Sequence, residues 1–427
     1  MHDYSGHPFQ VQLSRALAQR EHIVTHLHCP SYRTGKGQLE TQADDPPSLE
    51  IAAVPMLGEF QKYSLWKRPA QEVLYARRLM REVVRRQPDV LISSNTPLVA
   101  QKFVLRTSRQ KRIPLIYWHQ DLYSLPINTA LSRRVPLVGP SLGHAVVKLE
   151  QRLLRLSDAV ITISSDFVEI LRMWGVPPER ITVIENWAPL AEVPIASKSN
   201  PWAELHGLAD KKVILYAGML GVKHNPELLY QLAVRFRDAR DIRVVVVSEG
   251  EVAAALSARA SAAGLENLVT MPYQAYEDLP NVLATADVLV ALLEPEAGAF
   301  SVPSKVLTYL CAGRPILAAV PQENLAARIL SANGCGVVVE PHDVDSLARA
   351  ADRLLENEAE RKVLGVAARR YAERVFDLPR IADRFEEVIR RVLPSNVMQR
   401  RDVATTSSEG GGLEGRRQSG GGEIDDR

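Results

Sequence analysis

Residues 294–320, EPEAGAFSVPSKVLTYLCAGRPILAAV, decide how this chain is read. The apolar run 288–293 before them has the length and content of a buried strand. Glu294-Pro-Glu-Ala-Gly then breaks it. Ser301 is the expected N-cap of a short helix, and Pro303 fits the first turn, where its missing N–H is no loss. Gly313 ends the helix, Arg314-Pro315 keeps it from resuming, and 316–320 is the next strand. The chemistry lies at the helix start. Unpaired N–H groups around Ser304 and Lys305 and the positive end of the helix dipole face whatever fills the loop. Lys305 adds a full charge, and Thr308, three residues on, shares its face. The arrangement suits a diphosphate, with Thr308, Glu294 and Glu296 near a sugar or ribose hydroxyl. The other reading is an ordinary crossover with a solvated lysine.

Working outward, the same strand–loop–helix pattern repeats on both sides. Downstream of a linker marked by Pro189 and Pro194, strands are expected at 212–217, 242–247, 269–271, 288–293 and 337–339, with helices between them and after. Upstream, strands are expected at 23–28, 49–54, 89–93, 113–118, 159–163 and 181–184. Residues 122–143, with Pro126, Pro136 and Pro140, read as a loop. The alternation predicts an α/β chain of two doubly wound Rossmann-like domains facing a cleft. The expected limits are 1–190 and 191–378, with a helix at 379–394 crossing back to the first domain and a disordered glycine-rich tail at 395–427. The glycine turn at Tyr4-Ser-Gly-His-Pro has no strand before it that periodicity detects, so the first strand is expected to be missing or to lie upstream of Met1.

Open parallel sheets bind ligands beyond the carboxyl ends of their strands. Gly218-Met-Leu-Gly221-Val-Lys223 follows such an end. Its glycines allow close backbone approach to a phosphate, and Lys223 can neutralise it. A tight βα turn is the plainer reading. Paired with Ser304-Lys305, the loop points to a nucleoside diphosphate. His119 and Asp121 stand at a strand end in the first half, where an acid/base or hydroxyl-binding pair belongs; a loop histidine without a role is the alternative. Asn186, at another strand end, either binds a sugar or caps the next segment.

Charge is unevenly spread. Residues 62–155 hold 18 Lys and Arg against 5 Asp and Glu, although the whole chain carries only +2. This field implies an anionic partner for the first half, and an anionic membrane surface fits better than nucleic acid, for which there is no recognition motif. Cys29, Cys311 and Cys335 are widely spaced without a CxxC, which argues against a disulfide framework and against a zinc site. There is no apolar leader and no membrane-length apolar run, so a cytoplasmic protein is expected, held on the inner face of the plasma membrane through the basic region.

The chain resembles the GT-B glycosyltransferases, the group that includes the family 4 retaining enzymes, and looks most like bacterial members that build exopolysaccharide or lipopolysaccharide. The resemblance rests on Gly6-His7-Pro-Phe-Gln, Asp158-Ala-Val-Ile-Thr-Ile-Ser, Val183-Ile-Glu-Asn186, Gly218-Met-Leu-Gly221-Val-Lys223, Pro303-Ser304-Lys305-Val-Leu-Thr308-Tyr-Leu-Cys-Ala-Gly-Arg-Pro and Gly334-Cys-Gly-Val-Val-Val-Glu-Pro. It implies a nucleotide-sugar donor, uridine-type among the options, held by Gly218, Gly221, Lys223, Ser304, Lys305 and Thr308. It implies a saccharide or polyprenyl-diphosphate-linked acceptor on the first domain, near Gly6, His7 and Asn186. His119, Asp121 and Glu296 are the catalytic candidates, and no metal or other cofactor is implied, since fixed cations replace it. The sequence also departs from the family pattern. Thr308 stands in place of the second family glutamate and Phe300 in place of the first; Met219 replaces a frequent arginine, Gln120 a histidine, and Ser248-Glu-Gly250 a Gly-x-Gly. Two other readings use the same fold: a sugar-nucleotide 2-epimerase, and a catalytically idle partner that binds a nucleotide sugar. A nicotinamide-dependent oxidoreductase is disfavoured, because no G-x-G-x-x-G follows a strand.

Overall fold

The computed structural model describes residues 1–31, 37–56, 67–135, 137–221, 223–298 and 304–394. The first sheet holds β1 (His2–Asp3), β2 (Val24–His28), β3 (Leu49–Ala53), β4 (Leu91–Ser94), β5 (Leu115–His119), β6 (Ala159–Thr162) and β7 (Ile181–Val183), in the order β3-β2-β1-β4-β5-β6-β7. The second holds β8 (Lys212–Ala217), β9 (Ile242–Val247), β10 (Leu268–Met271), β11 (Val288–Leu292), β12 (Ile316–Ala319) and β13 (Gly336–Val339), in the order β10-β9-β8-β11-β12-β13. Every pairing is parallel. The strand order reverses between β1 and β4 in one sheet and between β8 and β11 in the other. These switch points are where crevices form beyond the strand ends.

Helices of the first half are α1 (Pro8–Gln19), α2 (Lys67–Arg86), α3 (Leu98–Lys111), α4 (Ser124–Arg134), α5 (Gly139–Leu156) and α6 (Asp166–Met173). Those of the second are α7 (Pro201–Leu205), α8 (Pro226–Arg235), α9 (Glu251–Ala262), α10 (Leu279–Ala284), α11 (Pro295–Gly298), α12 (Ser304–Ala312), α13 (Leu325–Asn333), α14 (Val344–Glu356) and α15 (Glu358–Val375), followed by α16 (Leu378–Val392). Strand alternation divides the core. In β5, Ile116 and Trp118 face α1 and α16, while Leu115 and Tyr117 face α2, α3 and α5. In β8, Leu215 joins the layer of α12 and α15, and Ile214 joins that of α8, α9 and α14. No helix among the described residues is long and apolar enough to cross a membrane.

Two expectations are corrected. The first strand is present: His2 and Asp3 pair with Leu27 and His28 on one side and with Ser93 and Ser94 on the other. It is two residues long and polar, so no hydrophobic period announces it. Tyr75 OH at 2.8 Å and Thr96 Oγ1 at 3.0 Å satisfy the His2 ring. Residues 122–143 are not a loop, because α4 and the start of α5 occupy them. Pro126 and Pro140 sit in the first turns of these helices, where no N–H is needed. Ser301, Pro303 and the tail from 395 lie outside the described residues.

α16 returns to the first domain. Phe385, fully buried, stands edge-on to Trp118 at 4.7 Å and Trp187 at 6.3 Å, and Phe9 completes the cluster. At the rim, Arg20 donates to Asp383 at 2.6 Å and to Glu386 at 3.1 Å. The buried aromatic outweighs the rim ion pairs, because exposed pairs are offset by solvation. Phe385→Ala should lower the unfolding free energy by about 3–5 kcal/mol, and Asp383→Ala by less than about 1 kcal/mol. Urea midpoints check this, and equal losses would contradict the ranking.

Candidate active site

The second sheet brings together two loops far apart in sequence. Gly218 leaves β8 with φ +126°, a conformation that a side chain would strain. Its N–H donates to Val247 O at 3.0 Å. Lys305, at the start of α12, lies directly above: its Cε is 3.6 Å and its Nζ 3.8 Å from where a Gly218 Cβ would be. Nζ also lies over the Tyr216 ring, 3.6 Å from its centroid, and donates to the Tyr216 hydroxyl and to Met219 O at 3.4 Å.

Residues that the sequence did not single out set this geometry. Tyr309, buried on α12, accepts the Ala217 N–H at 2.9 Å and donates to Ala217 O at 3.0 Å, fixing the helix to the strand end. Ser248 Oγ accepts the Leu220 N–H at 3.0 Å. His224 Nδ1 accepts the Gly221 N–H at 3.0 Å, which leaves the proton on the other ring nitrogen. Asn225 then caps α8 by accepting the Glu227 N–H at 3.1 Å. A tyrosine at i+4 from the lysine and another at the strand end were the available signals.

The field here is positive. Burial, aided by the charge of Lys223, holds Lys305 well below the ordinary lysine range. Burial, with Lys305 and Lys223, pushes His224 down to about 2. Lys223 itself is exposed, and its carbonyl accepts the Glu294 N–H at 2.9 Å, joining the two loops. Ser304 is exposed and Thr308 half-exposed on the next turn. Glu296 lies exposed in the first turn of α11, and the Glu294 carboxylate is 3.5 Å from His342 Nε2. Phe300 lies outside the described residues.

The first sheet supplies the facing wall. Asp121 is half-buried just past β5; burial raises it to about 6, and Lys223 opposes that rise. The two residues therefore sense each other across the cleft. His119 does not join them. Its ring is fully enclosed between Tyr117 and Phe167, each 5.8 Å away, and burial pushes it down to about 4. The separation arises because β5 ends at His119: its ring continues the inward face of Tyr117, while Asp121 lies beyond the strand end. Gln120 is buried at the same strand end, and its side-chain oxygen accepts from Asn186 Nδ2 at 2.6 Å. Asn186 also lines a crevice between the domains with Glu185, Leu307, Ile329 and Tyr371. Gly6, at φ +75°, and His7, stacked on Phe9 at 5.5 Å, form the turn into α1. Asp3 holds that turn by accepting the Ser5 N–H at 3.0 Å. Among the described residues there is no cluster of three His, Cys, Asp or Glu side chains placed to hold a metal ion.

Residues 202–371 match the family described as Glycosyl transferases group 1, and residues 7–187 match the Glycosyl transferase 4-like domain. The chain belongs to the group 1 glycosyltransferases. A protein of Escherichia coli strain K12 named as a glycosyl transferase of colanic acid biosynthesis, WcaI, is 29% identical to this transferase over 60% of its chain. That match spans 63% of the relative, less than two thirds of its length. The D-inositol 3-phosphate glycosyltransferase of Saccharomonospora viridis is 24% identical, over 83% of each chain. Among solved structures, Anabaena HepE in complex with UDP-glucose superposes with a TM-score of 0.66 at 18% identity, covering 91% of the transferase and 98% of HepE. WaaG, a glycosyltransferase involved in lipopolysaccharide biosynthesis, gives 0.64 at 16% identity over 91% and 98%. These likenesses show the GT-B fold, two parallel-sheet domains facing each other.

The positive loops make a pH prediction. An anion beside Lys305 raises its pKa, so pyrophosphate binding takes up protons in the window between the free and bound values. Affinity should fall as pH rises through that window. Calorimetry in buffers of different ionisation heat reads the uptake, and zero uptake throughout would contradict the siting.

Proposed function

We propose that this transferase moves a sugar from a nucleoside diphosphate sugar, of the uridine type, to a saccharide acceptor carried on a polyprenyl diphosphate, with retention of anomeric configuration, in the assembly of a bacterial surface polysaccharide. The observation that carries the reading is the convergence of the Gly218 loop and Lys305, with Lys223 beside them and Asp121 opposite. The names of the colanic acid relative and of WaaG support the surface-polysaccharide context. The UDP-glucose complex of HepE supports a uridine donor.

In this reading Gly218, Gly221, Lys223, Ser304 and Lys305 take the diphosphate, and Thr308 the adjoining ribose or sugar. The bond from the anomeric carbon to the diphosphate oxygen breaks, and its electron pair leaves with the diphosphate. Lys305 is fixed in place before that charge develops, which is what makes it effective, and Lys223 adds its charge beside it. They supply the counter-charge that a metal ion would otherwise bring. The acceptor hydroxyl forms the new bond on the same face, and its proton passes to the departing oxygen beside it. Asp121, the acid that reaches the cleft, orients that hydroxyl; His119 supports the strand end from within. Gly6, His7 and Asn186 line the acceptor side, and Glu296 stays near the sugar.

Lys305 is desolvated in the free protein, so its removal should not cost stability. Lys305→Ala should reduce transfer by on the order of 100-fold or more and leave the melting temperature unchanged. Full activity in that variant overturns the site. Turnover of the donor without any acceptor would instead favour an epimerase.

A further inference from the structure

The strongest unexplained surface is the hairpin of α4 and α5. It stands off the first domain: among the described residues between Ser124 and Glu150, the buried positions are two glycines, Gly139 and Gly143. Both serve the hairpin itself. A Cβ on Gly139 would fall 2.1 Å from Leu131 O, and one on Gly143 2.0 Å from Asn128 Oδ1. The two helices therefore pack closely at both glycines. Its tip is apolar and exposed: Leu137 is 96% exposed, Val138 53% and Leu142 51%. Single exposed apolar residues are ordinary, but three within six positions form a patch.

The charge around this patch has one sign. Residues 122–149 contain no Asp or Glu, while Arg133 and Lys148 are exposed. From the tip, α5 runs into the layer it shares with α2 and α3. Exposed on that layer are Arg77, Arg81, Lys102, Arg106, Arg152 and Arg155. Of the acids on these helices, Glu72 and Glu150 are buried, Glu72 paired with Arg68 at 2.7 Å and Glu150 accepting the N–H groups of Tyr123 and Ser124, while the partly exposed Glu82 is paired with Arg85 and Arg86.

We propose that the α4–α5 hairpin docks the first domain on an anionic bilayer, its apolar tip entering the headgroup region and the α2–α3–α5 layer lying against the lipid phosphates. Charge complementarity selects this occupant over a neutral protein surface. The inference deepens the reading of a lipid-borne acceptor, because it would bring the cleft to the surface where such an acceptor lies.

The test is co-sedimentation of the full chain with phosphatidylcholine vesicles, with and without phosphatidylglycerol. The wild type should bind only the anionic vesicles. Leu137→Asp combined with Leu142→Asp should abolish binding at low and high salt alike. Neutralising Lys102, Arg106 and Arg152 to Gln should weaken binding on the order of a hundredfold at low salt, about fivefold per charge. All these positions are exposed, so folding is preserved; unchanged circular dichroism confirms it. Unaltered binding by the tip variant overturns the proposal, as does a wild type that ignores anionic vesicles at low salt. A concentration-dependent dimer that the tip variant abolishes would assign the tip to a second copy instead. Thermal stabilisation by UDP, measured on the same variants, reports the donor site separately, so loss of one does not mimic loss of the other.

Discussion

The Tyr309 hydroxyl bonds both backbone groups of Ala217, and the rest of the candidate site depends on that contact. It sets the start of α12 over the end of β8. Lys305 then stands above Gly218, whose backbone angle strains any residue but glycine. The price is a desolvated ammonium in the free protein, its pKa lowered by burial and by Lys223. A buried cation short of counter-charge is an unstable arrangement by itself and a favourable one once an anion arrives. The site is thus built for its ligand rather than for stability, which accords with the general clustering of perturbed ionisable groups at functional sites.

The two sheets divide the work by charge as well as by position. Lys223 and Lys305 belong to the second, and Asp121, whose carboxyl Lys223 holds down against burial, to the first. The chain ties the two together through α16, whose Phe385 packs against Trp118 and Trp187 of the first domain.

How much of this the chain declares in advance varies with the signal. The strand, helix and strand around Lys305 are legible because caps, a terminal glycine and a closing Arg-Pro all agree. β1 is not, since two polar residues carry no period and are held by neighbours remote in sequence, Tyr75 and Thr96. The hairpin of α4 and α5 is misread because its prolines look like breakers, although each stands in a first turn. His119 and Asp121 are two residues apart, yet β5 ends at His119, which holds its ring inward and frees Asp121 beyond the strand end. The roles of Tyr309, Ser248 and His224 escape notice because their work is to bond backbone groups, which no side-chain motif records.

The most direct test of the central claim compares nucleoside diphosphates with the matching monophosphates by thermal shift on the wild-type chain. If Gly218, Lys223 and Lys305 hold a diphosphate, one diphosphate should raise the melting temperature strongly. At a hundred times its Kd the gain corresponds to about 2.7 kcal/mol, and the matching monophosphate should give far less. Equal shifts from both, or none from any, would contradict the account.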